Sequence, residues 1–258
     1  MIQLKDQKEV DAIARGGAII AGLFDEVPAI IRPGVSTAEI DGFCDEYIGS
    51  YEGATPAFKG LYGFPGSVCV SVNEEIVHGI PSPERVLAEG DIVSIDVGVR
   101  LDGWCSDSAW TFSVGDPSEQ TAELLRVTRL SLERAIEAAV PGNHVGDIGA
   151  AVVDTVRGTG FGIIRDLVGH GVGREVHEDP QVPNIGRRGY GPLLRTGMVL
   201  AIEPMLSAGA ATIRTLDDRW TVVTTDGSRS AHFEHTVAIT AEGPRVLTAA
   251  EGAAEAAA

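Results

Sequence analysis

Two parts of this chain repeat each other about 107 residues apart, and such a duplication narrows the possible folds more than any composition does. Pro33-Gly34 precedes a helical pattern with Ile40 seven residues after the proline, and Pro141-Gly142 does the same with Ile148. The stretch Gly90 to Asp96 (GDIVSID) parallels Gly197 to Glu203 (GMVLAIE), each ending in a carboxylate six residues after its glycine. His78 precedes Pro81 by three residues, as His177 precedes Pro180. Three matches in the same order point to an ancient duplication. Each half is expected to be two helices followed by strands, over about 10–112 and 118–240. The halves are expected to form one domain over 1–248 with a shared central sheet. Facing each other, they bring Asp96 and Glu203 together from opposite sides and flank that place with His78 and His177.

Within the first half, Val10, Ile13, Gly17, Ile20, Phe24, Val27 and Ile31 form one apolar stripe of an amphipathic helix. Pro28 should kink it or end its regular part, and Pro33-Gly34 stops it. Ser36 and Glu39 make a capping-box pattern for a second helix with Ile40, Phe43, Tyr47 and Ile48 inward. From Glu52 to Gly66 the Gly, Pro and aromatic content predicts a loop, whose Phe58, Tyr62 and Phe64 either line a pocket or cover the core edge. Ser67 to Val72 reads as a strand. In the second half, Asp116-Pro117-Ser118 opens a helix with Leu125, Leu132, Ile136 and Val140 inward, and Val145, Ile148, Val152 and Val156 mark another. Ile163 to Val168 and Gly197 to Ile202 read as strands. Thr221 to Thr225, the turn Asp226-Gly227 and Ala231 to Thr240 read as a last hairpin. The Ala-rich tail, 249–258, is expected to be disordered.

Bulk properties exclude several functions. The 258 residues are 44 % hydrophobic, enough for a proper core, and the formal charge is −17. That charge argues against nucleic acid or an anionic membrane as a partner. No apolar run approaches the ~18 residues of a membrane helix, and Met1 to Asp11 is charged. Cys44, Cys69 and Cys105 are odd in number and share no metal-like spacing, so free thiols in a reducing, cytoplasmic compartment are expected.

The chemistry centres on Gly90 to Phe112. Ile92, Val93, Ile95, Val97 and Val99 are expected to make a strand apolar on both faces, with Asp96 in its middle. Asp102-Gly103 is a hairpin-turn dipeptide, and the return strand carries Asp107. With a loop of two or four residues the two aspartates point to one face, directly opposite or diagonally adjacent. Two like charges that close need a metal ion or a shared proton. Glu203 and Glu234 also fall in or beside apolar strands, and His170 lies between glycines that permit close backbone approach. Each of these residues alone is more often a cap, a surface group or a satisfied core histidine. Four acids and one imidazole together exceed what a proton-sharing dyad needs and suit two divalent ions, among them Mn, Fe(II), Co or Zn. Two such ions about 3.5–4 Å apart activate one water between them. His78 and His177 either cap turns before their prolines or donate hydrogen bonds to a substrate.

Ser67 to Asn73 with His78-Gly-Ile-Pro81, Ile95 to Val97, Ser106 to Ser108, Gly169 to Gly173, Ile202 to Met205 and Phe233 to Thr236 resemble type I methionine aminopeptidase, an M24 peptidase. The resemblance spans Val10 to Thr240. Only 30 residues lie between Glu203 and Glu234, too few for the long helical insert of type II enzymes. It implies an α+β pita-bread fold, with pseudo-twofold halves and helices outside a curved antiparallel sheet. It implies that Asp96 and Asp107 bind one metal, that Asp107 and Glu234 bridge to the other, and that His170 and Glu203 complete the second sphere. Glu203 then also acts as general base toward a bridging water or hydroxide and passes the proton to the leaving amine. His78 contacts the scissile amide nitrogen and His177 the carbonyl oxygen. Phe64, Cys69 and Trp220, with Tyr62 nearby, match a methionine pocket, and an apolar, polarisable lining suits a thioether. The implied reaction removes the initiator methionine from nascent polypeptides whose second residue is small. The implied enzyme is a cytoplasmic monomer, and the ribosome is a candidate partner although no zinc-finger or proline-rich N-terminal extension is present. Val176 stands where the family commonly has an aromatic, which implies a more open pocket edge. The alternatives are an X-Pro aminopeptidase or prolidase, whose relatives usually carry an extra N-terminal domain, and a metal-free binding module, which requires lost ligands.

Overall fold

The computed structural model describes residues 1–249, so all of the Ala-rich tail beyond Ala249 lies outside the described residues. The first half runs α1 (Gln7–Glu26), α2 (Thr37–Gly49), β1 (Ala54–Pro56), β2 (Cys69–Val72), β3 (Glu75–Val77), β4 (Ile92–Leu101) and β5 (Trp104–Ser113). The second runs α3 (Glu119–Glu137), α4 (Val145–Val156), β6 (Gly162–Ile163), β7 (Val168–Gly171), β8 (Glu178–Pro183), β9 (Val199–Ile202) and β10 (Met205–Ser207). It continues through β11 (Ile213–Thr215), β12 (Val222–Thr224), β13 (Ser230–His232), β14 (His235–Thr240) and β15 (Gly243–Val246). Each half therefore opens with two helices and continues in strands.

Local chemistry sets the helix ends. Asp6 and Glu9 exchange side-chain to backbone bonds of 2.9 Å at the start of α1. Ser36 and Glu39 do the same for α2, where the Ser36 N–H donates to Glu39 Oε2 at 2.8 Å. Regular α1 stops at Glu26, and Val27–Ala29, which includes Pro28, forms a 3-10 turn. Gly16 and Gly17 let α1 lie close to the sheet, because a Cβ there would meet Ser106 Oγ or the Leu247 carbonyl.

The helices cover the outer faces. Ile20, Leu23, Ile40, Cys44 and Ile48 of α1 and α2 pack on Val70, Val72, Val93, Ile95, Val97 and Val99. Leu124, Val127, Leu132, Ile148 and Val152 of α3 and α4 pack on Leu200, Ile202, Val237 and Ile239. Each fully buried aliphatic side chain contributes about 1.5–3 kcal/mol. β4 is thus not apolar on both faces. Its odd-numbered residues share the helix side, and Ser94, Asp96 and Gly98 share the other. The period of two divides the strand cleanly, and only Ile92 adds an apolar group on Asp96's side.

Every strand pairing among the described residues is antiparallel. β4 pairs along its whole length with β5 through a two-residue turn, Asp102-Gly103, both with positive φ. β2 and β1 pair in turn with its other edge. A five-stranded sheet in the order β15-β14-β9-β7-β8 serves the second half, and two three-stranded sheets complete the fold. The expected shared central sheet is therefore divided. Where β5 meets β13 and β14, hydroxyls replace most of the ladder. Thr236 Oγ1 accepts from the Asp107 N–H at 3.0 Å and donates to the Asp107 carbonyl at 2.7 Å. Thr111 Oγ1 does the same with the His232 N–H (2.9 Å) and carbonyl (2.7 Å). One direct bond, Glu234 N–H to the Ala109 carbonyl at 2.9 Å, lies between them.

Four further expectations change. Ile163 to Val168 is not one strand: β6 joins β10 and β7 joins β8 and β9, with Arg165 and Asp166 exposed between. Glu52 to Gly66 is not loop throughout, since β1 adds to β4. Thr221 to Thr240 is not a hairpin, because β12 pairs with β11 and β3 while β13 pairs with β10. The Asp226 carboxylate accepts from the Ala210 N–H at 2.7 Å, which ties that turn to another loop. Finally, α3 buries Leu124 rather than Leu125. Its inward stripe includes Thr128 and Ser131, whose hydroxyls donate to the Leu124 and Thr128 carbonyls, so polar residues masked the true phase.

Candidate metal centre and active site

The side of β4 and β5 away from α1 faces the matching side of β9 and β14, and a cavity of about 290 Å³ lies between. β4 and β5 put Asp96 opposite Ala109 and Asp107 opposite Gly98, so the two aspartates are diagonal neighbours. Gly98 leaves space there for the Phe58 ring. Glu203 follows the last residue of β9, and Glu234 sits in the break between β13 and β14. Asp107, Glu203 and Glu234 are 3, 9 and 2 % exposed, which is deep burial for carboxylates. His170 is carried by β7 between Gly169 and Gly171, where a Cβ would strike the Ala201 or Asp179 carbonyl.

The ligand-type atoms converge. One atom each from Asp107, His170 and Glu234 lie within 4.8 Å of one another. His170 Nε2 is 3.8 Å from Asp107 Oδ2 and 3.7 Å from Glu203 Oε1. His170 Nδ1 lies 3.0 Å from the Gly171 carbonyl, which can only accept, so Nδ1 carries the proton and Nε2 offers its lone pair to the carboxylates. A lone pair aimed at carboxylates calls for a proton or a cation between them. Asp96 Oδ1, Asp107 Oδ1 and Glu234 Oε1 are buried with no hydrogen-bond partner among the described residues. Hard oxygen donors left unpartnered beside one imidazole nitrogen fit a divalent cation of the Mn, Fe, Co or Zn type.

Electrostatics agree with the geometry. Burial pushes Asp96 up to about 7 and Glu203 up to about 8. Burial, followed by neighbouring carboxylates, holds Asp107 and Glu234 well above the usual carboxylate range. Burial lowers His78 and His170 to about 4, so both are neutral near pH 7. The linkage has a definite sign. Unfolded carboxyls lose their protons near pH 4, whereas the folded, metal-free chain keeps some to about pH 7–8, so stability falls as pH rises through that interval. The histidines act oppositely, and only as pH falls from about 6.5 toward 4. Scanning calorimetry in a chelator is therefore expected to show Tm falling between about pH 6.5 and 8, and saturating Mn(II) is expected to remove the slope. A Tm that climbs over that range in chelator contradicts the buried-acid cluster.

All eleven residues singled out in the sequence border this cavity: Asp96, Asp107, His170, Glu203, Glu234, His78, His177, Tyr62, Phe64, Cys69 and Trp220. Cys69 pairs with Asp96 across β2 and β4. The Phe64 and Trp220 rings meet edge-on at 5.1 Å, and His78 meets Trp220 at 6.3 Å. His177 stacks with Tyr62 at 6.0 Å and meets His170 at 4.5 Å. Tyr62 and His78 adopt left-handed backbone, with φ of 51° and 59°. For His78 the strain is held by Gly79, whose carbonyl accepts from the Val70 N–H at 3.0 Å and whose N–H donates to Ser71 Oγ at 3.1 Å. Leu167, Val168 and Met205 also line the cavity.

One residue beside the acids escaped the sequence reading. His232 is 1 % exposed, with Nε2 3.6 Å from Glu203 Oε2 and 3.8 Å from Glu234 Oε2. Its signal was the period of two, since it lies two residues before Glu234.

The fold and this acid-lined cavity define a metallopeptidase, and the chain belongs to metallopeptidase family M24, whose family description matches residues 11–241. Its architecture is the pita-bread fold. The chain is 50 % identical to a methionine aminopeptidase of Clostridium perfringens, over 96 % of this chain and 99 % of that one. The crystal structure of the Thermotoga maritima methionine aminopeptidase superposes with a TM-score of 0.95 at 47 % identity, covering 97 % of this chain and all of that one. A prolidase from Pyrococcus furiosus superposes less closely, with a TM-score of 0.77 at 25 % identity, covering 96 % of this chain and 66 % of that one.

Proposed function

We propose that this chain is a metal-dependent aminopeptidase that removes the initiator methionine from nascent polypeptides whose second residue is small. The observation that carries this reading is the meeting of four acids, three of them buried and Asp96 half-buried, and the Nε2 lone pair of His170 on a cavity otherwise walled largely by apolar and aromatic side chains. Two divalent cations would be held there, one by Asp96 and Asp107, the other by His170 and Glu203, with Asp107 and Glu234 shared. Bound cations supply Lewis-acid activation of water and of the scissile carbonyl. Glu203 takes a proton from the attacking water and delivers it to the leaving amine. Burial raises the proton affinity of this carboxyl in the metal-free chain, and a bound cation would lower it again, leaving a carboxylate able to take the proton of the water. Neutral His177 donates a hydrogen bond to the carbonyl oxygen, and His78 contacts the scissile amide nitrogen. Methionine lies against Phe64, Cys69 and Trp220. Tyr62, stacked on His177 yet 76 % exposed, stands at the cavity mouth and limits the side chain that can follow.

A cytoplasmic site of action is supported by three free cysteines. Among the described residues no helix is long and apolar enough to cross a membrane.

The test is a release assay on chelator-stripped protein. Co(II) or Mn(II) is expected to restore methionine release from a Met-Gly peptide, with little turnover of an X-Pro peptide. No release with Mn(II), Co(II), Fe(II) or Zn(II), or faster cleavage of the X-Pro peptide, would overturn the reading.

A further inference from the structure

We propose that His232 is a positioning residue for this centre, donating its Nε2–H to Glu203 and so fixing the carboxylate that carries the proton. The proposal rests on the reading of Glu203 given above. Glu203 lies between two imidazoles. Its Oε1 is 3.7 Å from His170 Nε2 and its Oε2 is 3.6 Å from His232 Nε2. The two rings are held differently. His170 spends its Nδ1 proton on the Gly171 carbonyl and presents a lone pair. Neither nitrogen of His232 has a hydrogen-bond partner among the described residues, so none of them holds its proton on Nδ1. The carboxylates of Glu203 and Glu234 lie on the Nε2 side, and a lone pair there would repel both, so the proton sits on Nε2.

The ring has little freedom to turn away. The His232 N–H and carbonyl are both bound by Thr111 Oγ1, which also lies 2.9 Å from Ser94 Oγ. The side chain is 1 % exposed, so leaving its N–H without an acceptor carries a desolvation penalty. The distance to Glu203 is just beyond bonding range, so a small rotation of the carboxylate completes the bond. Residues that orient a metal-binding side chain typically change metal affinity or activity about 10–100-fold when removed.

The experiment compares H232Q, which keeps an N–H donor at similar reach, with H232L, which fills similar space without one. Wild type and variants are titrated with Co(II), followed by calorimetry and by the Co(II) absorption bands, and methionine release is measured at saturating Co(II). H232L is expected to lose about 10–100-fold in kcat with KM within threefold of wild type, and to shift the Co(II) bands without losing an equivalent of metal. H232Q is expected to recover kcat to within about threefold and to restore the bands. If H232L does not fold, H232A takes its place. Wild-type kcat in H232L, equal impairment of H232L and H232Q, or loss of one bound Co(II) in H232Q overturns the positioning role. A wild-type chain that binds no Co(II) overturns both this proposal and the reading it rests on. A wild type that binds Co(II) and releases methionine beside an unaffected H232L overturns this proposal alone.

Discussion

Replacing Asp107 with asparagine is expected to abolish methionine release while raising the melting temperature of the metal-free protein. The two effects have one cause. Asp107 is buried beside Asp96, Glu203 and Glu234, and its Oδ1 has no hydrogen-bond partner among the described residues. In the metal-free protein above about pH 7.5 these groups must either keep protons or repel each other. An amide of the same shape removes one member of the cluster. The expected gain is about 1–2 kcal/mol, or roughly 2–8 °C for a chain of this size. The same exchange removes a ligand shared between the two proposed cations. Losing several kcal/mol of Lewis-acid stabilisation corresponds to about 10³-fold in kcat/KM. Backbone position should survive, because Thr236 Oγ1 holds both the N–H and the carbonyl of residue 107. Calorimetry in chelator and a release assay with Mn(II) check the two halves of the prediction. Substantial turnover in Asp107→Asn, or a lower Tm, would contradict the role given to this carboxylate.

The largest stability loss is expected from Glu178→Ala. Lys5 Nζ lies 2.5 Å from Glu178 Oε2, and the two side chains are only 3 and 9 % exposed. Glu178 Oε1 also accepts from the Arg174 N–H at 2.8 Å, so this carboxylate organises the loop that carries His177. Removing it strands a buried ammonium and an amide donor together. Breaking one partner of a buried pair costs about 3–5 kcal/mol, equivalent to roughly 6–20 °C here. Replacing both partners by apolar side chains, Lys5→Met with Glu178→Leu, should recover much of the loss, because no charge is then left buried. Thermal unfolding of the three proteins measures this. A Glu178→Ala change below about 1 kcal/mol would place the pair in solvent-screened surroundings, contrary to its burial.

The residues that could be read in advance share a property: their cause is local. Ser36 and Glu39 bond each other across one turn, and Asp102-Gly103 closes a two-residue hairpin whose register then sets Asp96 diagonal to Asp107. Features that escaped depend on distant neighbours. The Thr221 to Thr240 segment has turn and strand chemistry, yet its two arms pair with β11 and β10 instead of each other. Leu124 and Leu125 are equally apolar, and only the packing of α3 against α4 and the sheet chooses between them. His232 looked like one more residue of a strand until Thr111, 121 positions away, fixed its backbone beside the acids.

The amino-acid sequence by itself determined the duplicated plan, the helix caps, the central hairpin and the set of acids and imidazoles available for chemistry, because periods of 3.6 and 2 and single-turn hydrogen bonds act over a few residues. Only the tertiary structure decided which sheet each late strand joins, which lone pair of His170 is free, and which carboxylate oxygens are left without a partner. Those outcomes follow from desolvation and from contacts between residues more than 100 positions apart, such as Asp107 with Thr236, which no local spacing encodes.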